Sequence, residues 1–363
     1  MKFACERSVL LKEIGIAQEI VASKNAYSIL SNIYIEAFDD SLIIKATDLK
    51  VSFETNVPVN VIEPGSTTVF CDKFLGALNV LPDGEVEFEQ VDSNLVIKTP
   101  LRKLRYNLKS IASDSFPQFP ELNENNFFSI PVKDFKDMIQ QTVFAVSDDE
   151  TRYFMTGVFL ERVEDKLNMV ATDGRRLALI KKTVGDDVPT FEPVIVPPKI
   201  LNIITKRAGD EGLISIAVTE RYIFVRFGVY NLSSVLIEGQ FPNYQRVIPE
   251  SQENVFSVNR LELLDALRRV ALLIDKRVYL GLSPGVLSIS SEESDLGAAN
   301  EEIPCRYDGE ELSIAMNFHY IEEPFKVMSE KEISIKFTDA VKAVSIYAEQ
   351  QDDRLHIVMP MQP

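Results

Sequence analysis

The chain has 363 residues, 45% of them hydrophobic, with 18 Pro and 15 Gly, which is enough for two or three domains with sizeable cores and excludes wholesale disorder. Lys and Arg number 38 against 55 Asp and Glu, and the net charge of −17 excludes a surface that attracts nucleic acid everywhere while leaving room for a local basic lining. Two His (His319, His356) and three scattered Cys (Cys5, Cys71, Cys305) exclude a Cys/His zinc site of ordinary spacing and a CxxC redox pair.

An amphipathic helix led by Phe3 opens the chain, with Leu10, Ile14, Ala17 and Val21 on one face. Ala46-Thr47-Asp48 follows among strand-like segments, then a second helix predicted over 72–81 and a turn at Pro82-Asp83-Gly84. Leu95-Val96-Ile97-Lys98 reads as a strand, and a basic stretch (Arg102, Lys103, Arg105, Lys109) leads to Phe116-Pro117-Gln118-Phe119. The pattern then restarts. A second helix led by Phe128 carries Phe135, Ile139, Thr142 and Val146, and Ala171-Thr172-Asp173 repeats the earlier triplet 125 residues on. A helix over 198–207 bears Lys199, Lys206 and Arg207, a strand is predicted over 214–218, and Phe241-Pro242-Asn243-Tyr244 repeats the Phe-Pro motif, again after 125 residues. Phe256 leads a third helix with Leu263, Leu267, Val270 and Ile274 on its face and Arg268, Arg269, Lys276 and Arg277 on and after it. A hairpin at Pro284-Gly285, a helix over 317–329 and a strand over 333–337 complete that copy. Three unlike signals at one spacing argue an internal repeat. The expected domains are 1–121, 122–250 and 251–363, joined through short, acidic, amide-rich linkers, and each is α+β, two helices with antiparallel strands.

The chain carries no GxxxxGK[ST] loop, no GxGxxG and no GxSxG elbow, so phosphate cradling and serine hydrolase chemistry have no candidate. His319 and His356 read as ordinary structural or surface residues. Asp148-Asp149-Glu150 could collect a magnesium ion for a metal-dependent phosphoryl hydrolase, with a solvated acidic turn as the simpler reading, and Asp352-Asp353 reads as a hairpin turn. A repeat scaffold that never meets DNA is the other alternative. No catalytic residue, metal or cofactor is predicted. The opening Met-Lys-Phe-Ala-Cys-Glu-Arg is too charged for a signal peptide, and no stretch approaches the roughly 18 apolar residues of a membrane span, so a reduced, cytoplasmic chain is expected.

Met-Lys-Phe at the start, Thr172-Asp173-Gly174-Arg175-Arg176-Leu177, the run from Gly239-Gln240-Phe241-Pro242 to Arg246-Val247-Ile248-Pro249, and the terminal Val358-Met359-Pro360-Met361 resemble the bacterial β sliding clamps, the processivity subunits of the replicative DNA polymerase III. The resemblance runs over essentially the whole chain. It implies a head-to-tail homodimeric ring of three similar domains per chain, helices inside and antiparallel sheets outside, closed around duplex DNA without enzymatic activity. About twelve helices at roughly 10 Å spacing would line a circle about 38 Å across between axes and leave about 28 Å clear, a loose fit that lets the ring slide. Acidic outer sheets would repel DNA while basic inner helices keep it centred.

By the same resemblance, Lys24, Arg152, Tyr153, Phe154 and Lys199 meet DNA, with Phe154 standing where a tyrosine is often found. A groove for peptides of the polymerase, the clamp loader and other partners maps onto Met155, Thr172, Gly174, Arg175, Arg176, Leu177, Pro242, Arg246, Val247, Asn317, Tyr320, Val341, Val358, Met359, Pro360 and Met361. Ring closure would join Tyr106 and Leu108 of one chain to Leu273 and Ile274 of the other. Read from the residues alone, that quartet is equally ordinary core, and the apolar tail equally a last strand. The segment after Ile274 is shorter than in well-known relatives, and the chain ends in Gln362-Pro363.

Overall fold

The computed structural model describes the chain apart from residues 22–27, 101–102, 123–125, 274, 294, 296, 349–350 and 363, and apart from the side chains of Gln351 and Asp352. Lys24, Arg102 and Ile274 therefore lie outside the described residues, as does the Asp352 side chain. Asp352-Asp353, read as a hairpin turn, belongs instead to the strand Gln351–Val358, whose first residue already pairs with Ala348. The chain forms two compact units, residues 1–132 with 208–236, and residues 133–207 with 237–363.

The first unit is built on a 13-stranded antiparallel sheet. Helix α1 (Arg7–Ile20) buries Leu10, Ile14, Ala17 and Ile20, and packs against α2 (Cys71–Val80). The predicted Val21 caps α1 instead of lining it, so Ile20 completes the stripe. Phe3 stacks on Phe88 at 4.8 Å between ring centroids and Phe74 meets Phe88 edge-on at 5.8 Å, an aromatic cluster within a mostly aliphatic core. Burial pushes the Cys5 and Cys71 thiols up to about 12. The strand Arg105–Ile111 pairs with Asn94–Lys98 along 105–109, but on its other side, among the described residues, only Ser110 and Ile111 are paired, with Val69 and Thr68, so residues 105–109 form an open edge there.

The second unit carries an eight-stranded antiparallel sheet and a four-stranded one whose outer strand Asn300–Pro304 pairs only with Val286–Ser290 among the described residues. Its helices are α3 (Val132–Gln140), α4 (Pro198–Arg207), α5 (Arg260–Val270) and α6 (Phe318–Val327). Helix α3 stops before Thr142 and Val146, which the apolar stripe had placed on it. The Thr142 hydroxyl donates to the Met138 carbonyl at 2.7 Å, and the chain passes into a 3-10 turn at Val143–Ala145. Asn259 caps α5 by accepting from the Leu261 and Glu262 amides, and Arg268 joins α5 to Glu322 of α6 at 3.0 Å. His356, fully buried, lies 3.2 Å through Nε2 from Gln141 Oε1, and Gln141 Nε2 donates to the Val327 carbonyl at 2.8 Å. Burial, then the neighbouring Arg354 charge, lowers the imidazole to about 3. Among the described residues no helix is long and apolar enough to cross a membrane.

The Phe-Pro stretches are joints in the chain but not in the sheets. Strand Tyr230–Val235 pairs with Val51–Pro58, and strand Gln351–Val358 pairs with Arg176–Thr183, so each joint is bridged by a β-ladder.

Candidate peptide groove and nucleic-acid interface

The Thr172-Asp173-Gly174 turn between strands Lys166–Thr172 and Arg176–Thr183 is fixed by its own side chains. Thr172 Oγ1 accepts from the Gly174 amide at 3.1 Å and donates to the Arg176 carbonyl at 2.6 Å, while Asp173 Oδ1 accepts from the Arg175 and Arg176 amides at 2.8 and 3.1 Å. Asp173 Oδ2 also pairs with Arg176 Nε at 3.1 Å. Arg176 Nη2 donates to the Phe144 carbonyl at 2.6 Å, and its guanidinium lies over the rings of Tyr320 and Phe144 at 4.7 and 5.5 Å. Arg176 is thus a rigid strut between the turn and α6, and only Arg175 of the pair is exposed.

The apolar tail docks on this strut. Val358 pairs with Arg176, the Met359 amide donates to the Arg175 carbonyl at 2.8 Å, and the Met361 amide donates to the Ala315 carbonyl at 2.7 Å. Beneath lies a buried cluster of Val170, Leu177, Leu179, Phe241, Tyr244 and Leu355, against which Phe154, Ile248 and Ala343 also pack. The 3-10 turn Tyr244–Val247 follows Pro242 and leaves Arg246 and Val247 exposed, and the loop before Val344–Ala348 leaves Val341 exposed. Val247, Val341 and Met359 show 54%, 59% and 43% of their surface to solvent while Met155, Leu177 and Val358 are buried. Asn317 accepts from the His319 amide at 3.0 Å and caps α6, which aims Tyr320 at Arg176. Of the sequence-derived groove residues, Leu177 belongs to this cluster, Val358 and Tyr320 pack in a second one, and Val247, Val341 and Met359 show apolar surface to solvent.

Arg152, Tyr153 and Phe154 sit on the 3-10 segment Glu150–Met155. Asp149 caps it, its Oδ1 accepting from the Thr151 amide at 3.0 Å and hydroxyl at 2.6 Å and its Oδ2 pairing with Arg152 Nε at 2.9 Å. The Thr151 contacts first, and Arg152 after them, hold the Asp149 carboxyl below its usual range. Tyr153 is half exposed, whereas Phe154 turns into the cluster under the groove. Arg152 Nη1 lies 3.1 Å from where a Cβ on Gly174 would stand, which brings the Arg152 segment against the groove turn. Lys199, half-buried near the start of α4, stands apart on a different element.

Comparison with known proteins settles the family. The N-terminal, central and C-terminal domains described for the DNA polymerase III beta subunit match residues 1–120, 129–243 and 245–362. The chain belongs to the beta sliding clamp family. The beta sliding clamp of Treponema pallidum is 44% identical over 369 residues, all of both chains. The DNA polymerase sliding clamp of Bacillus subtilis superposes with a TM-score of 0.94 at 29% identity, covering 100% of this chain and 99% of that one. The Bartonella birtlesii clamp, solved bound to griselimycin, gives 0.94 at 29% identity with full coverage of both chains. As a sliding clamp the chain is a processivity factor of DNA replication and not an enzyme.

The metal-dependent alternative draws no support from the site, because Asp149 spends both carboxylate oxygens on its own loop and no group of three His, Cys, Asp or Glu among the described residues is arranged to hold an ion. Asp149 and Asp173 are positioning residues that the sequence reading passed over as a solvated turn and as part of a motif. Of the proposed closure residues, Tyr106 and Leu108 are half-buried on the open edge strand, with Arg105, Asn107 and Lys109 alternating outward. In the second unit, Leu273 is half-buried in the 3-10 turn Ala271–Leu273, and its neighbour Leu272 is 82% exposed.

Proposed function

We propose that the chain closes as a head-to-tail homodimer around duplex DNA in the cytoplasm and tethers the replicative polymerase, the clamp loader and other partners through short peptides seated in the groove. The chain then divides at 1–121, 122–250 and 251–363, a reading supported by the three matched domain spans. Lys24, Arg152, Tyr153 and Lys199 offer weak, water-mediated contact to phosphates, with the topological link supplying the hold. Open edge strands at 105–109 and 300–304 support closure between chains, with Leu272 joining Leu273 at the interface.

The observation that carries the groove is the exposed Val247, Val341 and Met359 above a buried cluster. Removing residues 359–363 is expected to abolish calorimetric binding of polymerase-derived peptides while the dimer sediments unchanged. Wild-type affinity in the truncated chain would overturn the groove. Lys24→Ala with Lys199→Ala is expected to weaken retention on circular DNA and flatten its salt dependence, and retention identical to wild type at several salt concentrations would remove both residues from the DNA face.

A further inference from the structure

The repeat gives both compact units the same cross-strand row. In the second unit it runs Phe159, Val170, Leu179, Leu355 across four paired strands and is sealed beneath Phe241 and Tyr244. In the first unit the matching row runs Tyr34, Lys45, Glu54, Asn231, with the same strand pairings. Phe116 stands 5.6 Å from Tyr34 as Phe241 stands 4.7 Å from Phe159, so the covering segment is also repeated. What differs is polarity. Lys45 pairs with Glu54 at 2.8 Å and lies over the rings of Tyr34 and Phe119 at 5.8 and 5.5 Å, and both side chains of the pair remain about one-third exposed.

A polar row loses too much hydration to be sealed by an apolar cover, and here a cavity of about 810 Å³ stays open above it. Phe116, Phe119 and Phe224 line it together with Arg226, whose guanidinium lies over the Phe127 ring at 4.1 Å, and with the exposed carboxylates Asp114 and Glu121. Neither of those carboxylates has an ion-pair partner among the described residues, whereas Glu54 is committed to Lys45. Glu121 stands where the second repeat has Arg246, so the charge at that position is opposite in the two repeats.

We propose that this cavity is a second peptide site, one repeat upstream of the first, and that it takes a short extended segment of a partner protein in which an aromatic or aliphatic side chain is flanked by Lys or Arg. The aromatic wall receives the apolar side chain and the two carboxylates receive the cations. The same carboxylates disfavour nucleic acid. The inference rests on the first unit alone and holds whether or not the groove of the second unit binds peptides.

The test uses the full-length protein and two fluorescent capped peptides, one with a Lys-Phe-Ser-Lys core and one with Glu-Phe-Ser-Glu, titrated by polarisation. The lysine peptide is expected to saturate and the glutamate peptide not to. Asp114→Lys with Glu121→Lys, exposed changes whose folding is checked by an unchanged melting temperature, should weaken the lysine peptide by about tenfold or more. Deletion of residues 359–363 should leave it unchanged. Absence of saturation, binding that survives the charge reversal, binding lost with the tail, or displacement of the peptide by a single-stranded oligonucleotide would each overturn the proposal.

Discussion

The Thr47-Asp48-Leu49 and Thr172-Asp173-Gly174 turns are bonded alike. Thr47 Oγ1 accepts from the Leu49 amide at 2.9 Å and donates to the Val51 carbonyl at 2.9 Å, and Asp48 Oδ1 accepts from the Lys50 and Val51 amides at 2.9 and 2.7 Å, repeating the pattern around Gly174. Their third residues share a left-handed backbone, with φ of +72° at Leu49 and +87° at Gly174. Leu49 tolerates it because it is 60% exposed and has space, whereas a Cβ at Gly174 would meet Arg152. The same scaffold therefore carries a solvent turn in one repeat and, in the next, a turn filled by a side chain of the proposed DNA face. The rows beside these turns diverge in the same sense, polar and open in the first repeat, apolar and covered in the second.

Exchanging the rows tests this divergence most severely. Leu179→Glu places a carboxylate, at a position only 2% exposed, among Val170 and Leu355, and is expected to cost about 3 kcal/mol or more in urea unfolding. Lys45→Val with Glu54→Leu in the first repeat is expected to change stability by no more than about 1 kcal/mol, since that pair is half-solvated. Equal costs would erase the distinction.

Exchanging the turns should have a smaller effect. Gly174→Ala is expected to lower stability by about 1–2 kcal/mol through its backbone and the Arg152 contact, and Leu49→Gly to raise it by up to about 1 kcal/mol in thermal denaturation.

Mild acid should separate the units most gently. Both histidines lie in the second unit, and His356 is held far below its usual 6.5. Folded His356 stays neutral while the unfolded chain binds a proton, so its contribution is full above pH 6.5 and is lost as pH falls toward 3. Opening of the second unit, followed by hydrogen exchange, should become easier by about 1.4 kcal/mol per pH unit below 6.5, and His356→Gln should remove that slope. An equal slope in the first unit would assign it to carboxylates instead.

Helices and repeats were legible because each rests on local periodicity: α2, α4 and α6 fall within about two residues of their predicted spans. Phe3, Phe128 and Phe256, expected to lead helices, instead stand on strands Lys2–Glu6, Phe128–Pro131 and Asn254–Asn259, and α1, α3 and α5 begin only after those strands end. Thr142 was the one polar break in the apolar stripes, and it marks where the helix has ended, its hydroxyl bonded back to the Met138 carbonyl. The Tyr34, Lys45, Glu54, Asn231 row was not legible, because strand register brings it together from four segments. Leu272 was passed over because Leu273 was named from the resemblance and the helical stripe ran through Val270 and Ile274, whereas the 3-10 turn Ala271–Leu273 leaves Leu272 82% exposed. Arg176 was named, but the Phe144 and Tyr320 rings that immobilise it come from distant segments.

The ladders across the two joints bear on how such a ring would be loaded. Val51–Thr55 lies against 230–234 and Arg176–Ile180 against 354–358, each through five residue pairs within one chain. An opening force applied to the proposed dimer would meet these covalently tethered ladders as hinges that re-form at once if frayed. The seams between chains, where edge strands meet without a tether, re-form at a rate that depends on geometry held from outside. A loader would then act as a spreader on one seam, and the residence time of the ring on DNA would be the lifetime of the weaker seam.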